Sequence, residues 1–170
     1  MDKVLWLLAL QGTLGALDTL YFHEWRAHLP TLRTAGPELR LHAARDFIYF
    51  VIFATLPWIA WQGRWAGVMV LLLAAEIVIT LADFVIEDRT RRPLGGVFSG
   101  ERVMHAVMGI VYGATLAYFV PVLWAWAQQP SALALYKPDV PDLLRYAMAA
   151  MAGGVLISGL RDIWAARRLR

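Results

Sequence analysis

This chain of 170 residues has no cysteine. That absence excludes a disulfide framework, a thiolate metal site and a cysteine nucleophile, so any metal here must be held by nitrogen and oxygen. Charge is also scarce: Asp, Glu, Lys and Arg make up 17% of the residues, against 59% that are hydrophobic. Soluble domains carry about 25% charged residues. The shortfall, with a mean hydropathy of +0.53, points to an integral membrane protein. Histidine is confined to four positions, His23, His28, His42 and His105, and the sequence has no internal repeat or low-complexity tract.

The apolar stretches are long enough to act as membrane helices, which need about 20 residues each. They predict an all-α, polytopic protein: one domain over 1–170, built as a bundle of five transmembrane helices near 3–28, 40–61, 65–87, 101–127 and 141–165. The separators have loop chemistry. LPTLRTAGPEL and QQPSALALYKPDVP are proline-rich, QGR is a tight turn, and DRTRRPLGGVFSG is basic and glycine-rich. The first apolar run resembles a signal peptide at its start but continues to Leu20 without a small-residue cleavage site, which makes it the first span.

With five spans, the 1–2 loop, the 3–4 loop and the C-terminus share one side. That side and its adjoining helix ends hold most of the arginines, including Arg33, Arg40, Arg89, Arg91, Arg92 and Arg167, whereas the other side has Lys3, Arg64, Lys137 and Arg145. The positive-inside rule then predicts a cytoplasmic C-terminus and an outside N-terminus, in the inner membrane if the source is a bacterium. The sequence pI near 9.5 reads as this topology signal, and no separate basic patch suggests nucleic acid.

The same topology gathers the ionisable residues. The end of helix 1 carries Glu24 and His28, the start of helix 2 His42 and Asp46, the end of helix 3 Asp83 and Glu87, and the start of helix 4 Glu101 and His105. Each is an i, i+4 pair, which places both side chains on one helix face. Deeper in the same register lie Asp18 and Tyr21 on helix 1, Tyr49 on helix 2, Glu76 on helix 3 and Tyr112 on helix 4. Asp18 and Glu76 fall about 15 Å inward from their helix ends at 1.5 Å per residue. That is too deep to reach the same ions, so the two acids are read as a proton path, as supports for the tyrosines, or as a separate pair. An undistorted helix turns His23 about 140° from Asp18, so His23 is expected to face outward or play a supporting part. Arg45 and Arg102 are expected ion-pair partners, and Asp88 a charge at the helix end.

Buried charges in a bilayer are costly and must be paired, protonated or metal-bound. Carboxylates brought together raise one another's pKa unless a cation sits among them. The carboxylates Glu24, Asp46, Asp83, Glu87 and Glu101 with His28, His42 and His105 resemble the ligand architecture of di-iron and di-manganese carboxylate four-helix bundles, here in membrane form. In those bundles the histidine follows a glutamate by three residues. Here His28 and His105 follow Glu24 and Glu101 by four, and helix 5 stays outside the resemblance.

The resemblance implies two iron ions, with manganese or zinc as alternatives, held by His28, His42, Asp46, Asp83, Glu87, Glu101 and His105; in the zinc alternative one ion activates water and Glu24 or Glu87 acts as the base. The expected activity is oxidation of a lipophilic substrate from the bilayer (hydroxylation, desaturation or quinol oxidation), served by an electron donor. Zinc in the same site implies hydrolysis. Two further classes compete: haem held by His42 with His105 or His28, and a proton or cation transporter using Asp18, Glu76 and Asp83. Gly109 and Gly113 in GIVYG predict a close helix approach, and Trp58, Trp61, Trp65, Trp124 and Trp126 an aromatic belt.

Overall fold

Uninterrupted apolar runs produce long helices. The computed structural model describes residues 1–169, with α1 at Asp2–Asp18, α2 at Gly36–Thr55, α3 at Arg64–Thr90, α4 at Ser99–Ala127 and α5 at Asp142–Arg168. Helix α1 continues without a break into a π-helical segment, Thr19–Arg26. Two short strands, β1 (Ile59–Trp61) and β2 (Leu133–Leu135), pair antiparallel with Ala60 opposite Ala134.

Four stretches are long and apolar enough to cross a membrane: Asp2–Arg26, Arg64–Thr90, Ser99–Ala127 and Asp142–Arg168. The most apolar window, in α3, has a mean hydropathy of 2.4. Its 27 residues extend about 40 Å, against a hydrocarbon core of about 30 Å. Residues facing away from the protein are apolar too, among them Leu71, Val78, Ile110, Val120 and Ile157. Helices apolar on both faces are what an integral membrane protein requires.

Helix α2, expected over 40–61 as a fifth span, is not among these four. It begins earlier, at Gly36 and Pro37, and stops at Thr55, two residues before Pro57. Its first half carries Glu38, Arg40, His42, Arg45 and Asp46, so only its second half is uniformly apolar. Instead of facing outward it packs along α5 and, on another side, along α3. The approach to α5 is tight at Gly159, where a Cβ would lie 3.1 Å from the Asp46 Cβ and 3.4 Å from the Ala43 carbonyl oxygen.

Helix α1 packs on α4, and α4 touches α3. Leu5, Ile52, Phe53, Met69, Phe119 and Met148 lie in the shared core. In hydrocarbon surroundings such contacts stabilise by close packing, since exclusion of water no longer distinguishes inside from outside. GIVYG does not mediate a close approach: a Cβ at Gly109 or Gly113 meets no atom within 4 Å. These glycines leave open space.

The β1–β2 pair ties the α2–α3 and α4–α5 connections together at one end. At the other end Ala27, Leu29, Ala35, Leu39, Ala165 and Ala166 form a second core, joined by Leu94 and Phe98. It gathers the α1–α2 connection, the α3–α4 connection and the end of α5. The arginine-rich segments and most of the buried ionisable side chains share this end.

Candidate metal centre

The π segment reshapes the site. In a π-helix hydrogen bonds run from i to i+5, so residues five apart come onto one face; the Ala27 amide accordingly donates to the Phe22 carbonyl at 2.9 Å. Asp18 and His23 are five apart, and His23 Nε2 lies 3.4 Å from Asp18 Oδ2. His23, expected to point away, is therefore buried and central. Phe22 seats the segment against the first turn of α4, where a Cβ on Gly100 would be 3.0 Å from the Phe22 ring.

From α4, Glu101 Oε1 reaches within 3.2 Å of His23 Nε2. His105 Nε2 lies 3.3 Å from Asp18 Oδ2, and its Nδ1 lies 3.6 Å from Glu87 Oε1 on α3. Two groups can each offer three donor atoms within 4.8 Å of one another, Asp18–His23–His105 and Glu87–Glu101–His105. Asp18, expected too deep to take part, thus joins the cluster; the π turn and the inward position of His105 bring the two levels together.

Three atoms on these grouped residues are buried without a hydrogen-bond partner, Asp18 Oδ1, His23 Nε2 and Glu87 Oε2, as are Asp83 Oδ1 and His42 Nε2 beside them. His23 Nε2 is close to two carboxylates yet hydrogen-bonded to neither, since the contacts lack the required alignment. Orphaned buried polar atoms are rare and costly. Convergent lone pairs on imidazole nitrogen and carboxylate oxygen fit a divalent cation of the iron, manganese or zinc type.

A second layer surrounds the donors. The His42 ring stacks on His23, with centroids 4.7 Å apart and planes 8° from parallel. His42 Nε2 is 3.0 Å from Asp83 Oδ2, and its Nδ1 is 3.9 Å from Asp162 Oδ2. Arg45 approaches Asp83 at 3.5 Å. Phe84 stacks on His105 at 5.1 Å. Helix α5, outside the sequence reading of the site, contributes Asp162 and Arg161.

Two further residues, Arg91 and Glu38, lie outside the set expected from the sequence. Arg91, just past α3, is fully buried and lies between Glu38 and Glu101: its Nη2 is 2.7 Å from Glu38 Oε1 and 2.9 Å from Glu101 Oε1. Thr90 donates a short hydrogen bond to the other Glu38 oxygen. Burial disfavours the guanidinium charge, but the hydrogen bonds and charges of Glu38 and Glu101 outweigh it and hold the Arg91 pKa above the ordinary arginine value. The one sequence signal for Glu38 is its position four residues before His42. Among RTRR nothing sets Arg91 apart.

Other expected site residues lie elsewhere. His28 is exposed, with φ 48°, two residues past the π segment; Pro30 follows in a short 3-10 turn. Glu24 pairs with Arg161 at 2.7 Å and is not among the grouped donors. The Glu24–His28 pair fails because its one-turn spacing assumed α-helix. Asp46 is turned toward α5 and a cavity wall. Tyr21 is exposed against Phe22 and Trp25, and Arg102 is exposed.

Next to the donors lies a cavity of about 500 Å³. Asp18, Arg45 and His105 line one end, while Gln11, Tyr49, Glu76 and Tyr112 line it deeper in. Glu76 does not reach the donor groups. Its Oε1 accepts hydrogen bonds from the Tyr49 hydroxyl at 3.3 Å and the Thr80 hydroxyl at 2.9 Å. No protein-family model, curated protein or solved structure matches this chain.

Proposed function

We propose that this protein is a membrane-embedded, metal-dependent oxidoreductase that holds two iron ions and acts on a lipophilic substrate. In this reading α1 to α5 form one five-helix membrane bundle with the arginine-rich end in the cytoplasm. One observation carries the proposal: Asp18, His23, Glu87, Glu101 and His105, from three helices, bring donor atoms together in two groups beside a large cavity, and several of those atoms have no protein partner.

The donor chemistry supports a pair of ions. Glu101 faces His23 with one oxygen and belongs with Glu87 and His105; a carboxylate has two oxygens and can serve two ions at once. His42 and Asp83 orient His23, and Arg91 fixes Glu101 and offsets part of the buried negative charge. The bound ions would supply the oxygen and electron chemistry, while the chain positions them and keeps water out.

The cavity and its apolar walls support a substrate taken from the bilayer, by hydroxylation, desaturation or quinol oxidation, with an electron donor as partner. Metal analysis and an absorption spectrum of the purified protein test the proposal. About two iron atoms per chain without a Soret band support it. Zinc in the same donors points to hydrolysis, a Soret band to haem, and a protein free of transition metal to the transporter class.

A further inference from the structure

We infer that the cavity binds a neutral, lipid-soluble alcohol or carbonyl compound, with its polar group at Tyr112 and Gln11 and its hydrocarbon directed toward Asp18 and His105. The inference names the substrate class for the oxidoreductase reading and rests on that reading for turnover, though the binding itself does not require metal.

The volume of about 500 Å³ falls in the range of small-molecule pockets, about 300–1,000 Å³. Phe53, Ile77, Leu81, Met108 and Met151 supply apolar wall. Leu20, on the π segment, and Ile157, on α5, line it and are both exposed, so its rim on that side is apolar. Gly15, Gly109 and Gly154 also line it, and a Cβ on any of them would meet nothing within 4 Å. A ligand arriving from hydrocarbon finds space and an apolar path.

Polar groups occur at two levels. Gln11 and Asp18 on α1, and Tyr112 and His105 on α4, are each seven residues apart, or about 10 Å along a helix. At the deeper level the Tyr49 and Thr80 hydroxyls already donate to Glu76. Tyr112 faces the same carboxyl group, but its hydroxyl is outside hydrogen-bond geometry, and the Oε1 of Gln11, which is 9% exposed, also has no partner.

A buried donor and a buried acceptor without partners are destabilising. A ligand hydroxyl satisfies both by accepting from Tyr112 and donating to Gln11; a ligand carbonyl satisfies Tyr112. A carboxylate has no hydrogen to donate to Gln11 and would set further acceptor oxygens beside those of Glu76. Anchoring the polar group at this level keeps it about 10 Å from the donor cluster and lays the hydrocarbon against it.

Retinol and retinoic acid share one skeleton and differ in this polar group. Each is titrated into the full-length, detergent-solubilised protein, before and after removal of metal by chelator, with energy transfer from tryptophan as the signal. Saturable retinol binding is expected in both preparations, with retinoic acid at least about tenfold weaker. Tyr112→Phe should weaken retinol by about three- to tenfold, the worth of one hydrogen bond, and leave retinoic acid unchanged. Gly154→Leu should remove retinol binding while helicity is kept, since leucine favours helix over glycine. Equal affinity for the two ligands, a signal that does not saturate, or Tyr112→Phe without effect would overturn the inference. Because binding is read without turnover, a negative metal analysis leaves this result standing.

Discussion

His23 Nε2 lies 3.4 Å from Asp18 Oδ2, five residues earlier on the same helix. An α-helix cannot make that contact, because it turns residues five apart about 140° from each other. A single local change of helix type therefore exchanges the histidine presented to the interior. His23 is buried, while His28, beyond the end of the π segment and with φ 48°, is exposed.

The two histidines should respond oppositely to mutation. His23→Ala is expected to lose most of the bound metal, and His28→Ala to keep the wild-type amount, as read by metal analysis of matched preparations. Metal retained by His23→Ala and lost from His28→Ala would restore the regular-helix reading of the π segment.

His42 supports His23 by stacking on it and is not in either donor group. His42→Phe keeps a flat ring at 4.7 Å and should retain metal affinity within a few-fold. His42→Ala removes the stack and should weaken binding by about 10- to 100-fold, the usual scale for groups that orient metal ligands. Equal loss in both variants would make His42 a ligand.

Arg91 is the fully buried cation between Glu38 and Glu101. Arg91→Met leaves two buried carboxylates without their partner and is expected to cost about 3–5 kcal/mol of stability, measured by unfolding in detergent. Arg91→Lys should recover only part of this, because an ammonium cannot reproduce the forked contacts. The Arg91 pKa is raised on folding. Its contribution is therefore complete below the unfolded arginine value and lost only as pH rises through the folded one. From about pH 7 to 10, which lies below both values, titration of Arg91 should leave the stability gap between wild type and Arg91→Met unchanged.

Glu24 and Arg161 form a pair at 2.7 Å, with side chains 29% and 36% exposed. Such a pair contributes about 0–1 kcal/mol. Glu24→Gln should therefore leave metal content unchanged and activity within about twofold of wild type. A collapse of activity with normal metal content would return Glu24 to the role of base.

The angular arithmetic of the sequence holds along α3 and α4. Asp83 and Glu87 on α3 are both buried, and Glu101 and His105 on α4 both face the cluster, as their one-turn spacing requires. The arithmetic fails over Thr19–Arg26 because nothing in TLYFHEWR signals an i to i+5 ladder. The same apolar runs that mark α3, α4 and α5 also set their bounds closely. Helix α2 is harder to read: its charged first half lies against α5 and α3, and only a tertiary partner can make that arrangement stable. Arg91 and Glu38 were hidden for a related reason, since their pairing joins two segments 53 residues apart.

The direct test of the central claim is the metal content of the purified, unreconstituted protein, measured with its absorption spectrum on wild type and on a Glu101→Ala, His105→Ala double variant. The account predicts about two iron atoms per wild-type chain, no Soret band, and loss of the iron in the double variant with its helicity intact. Wild-type protein that carries no transition metal, or a double variant that keeps all of it, would contradict the account.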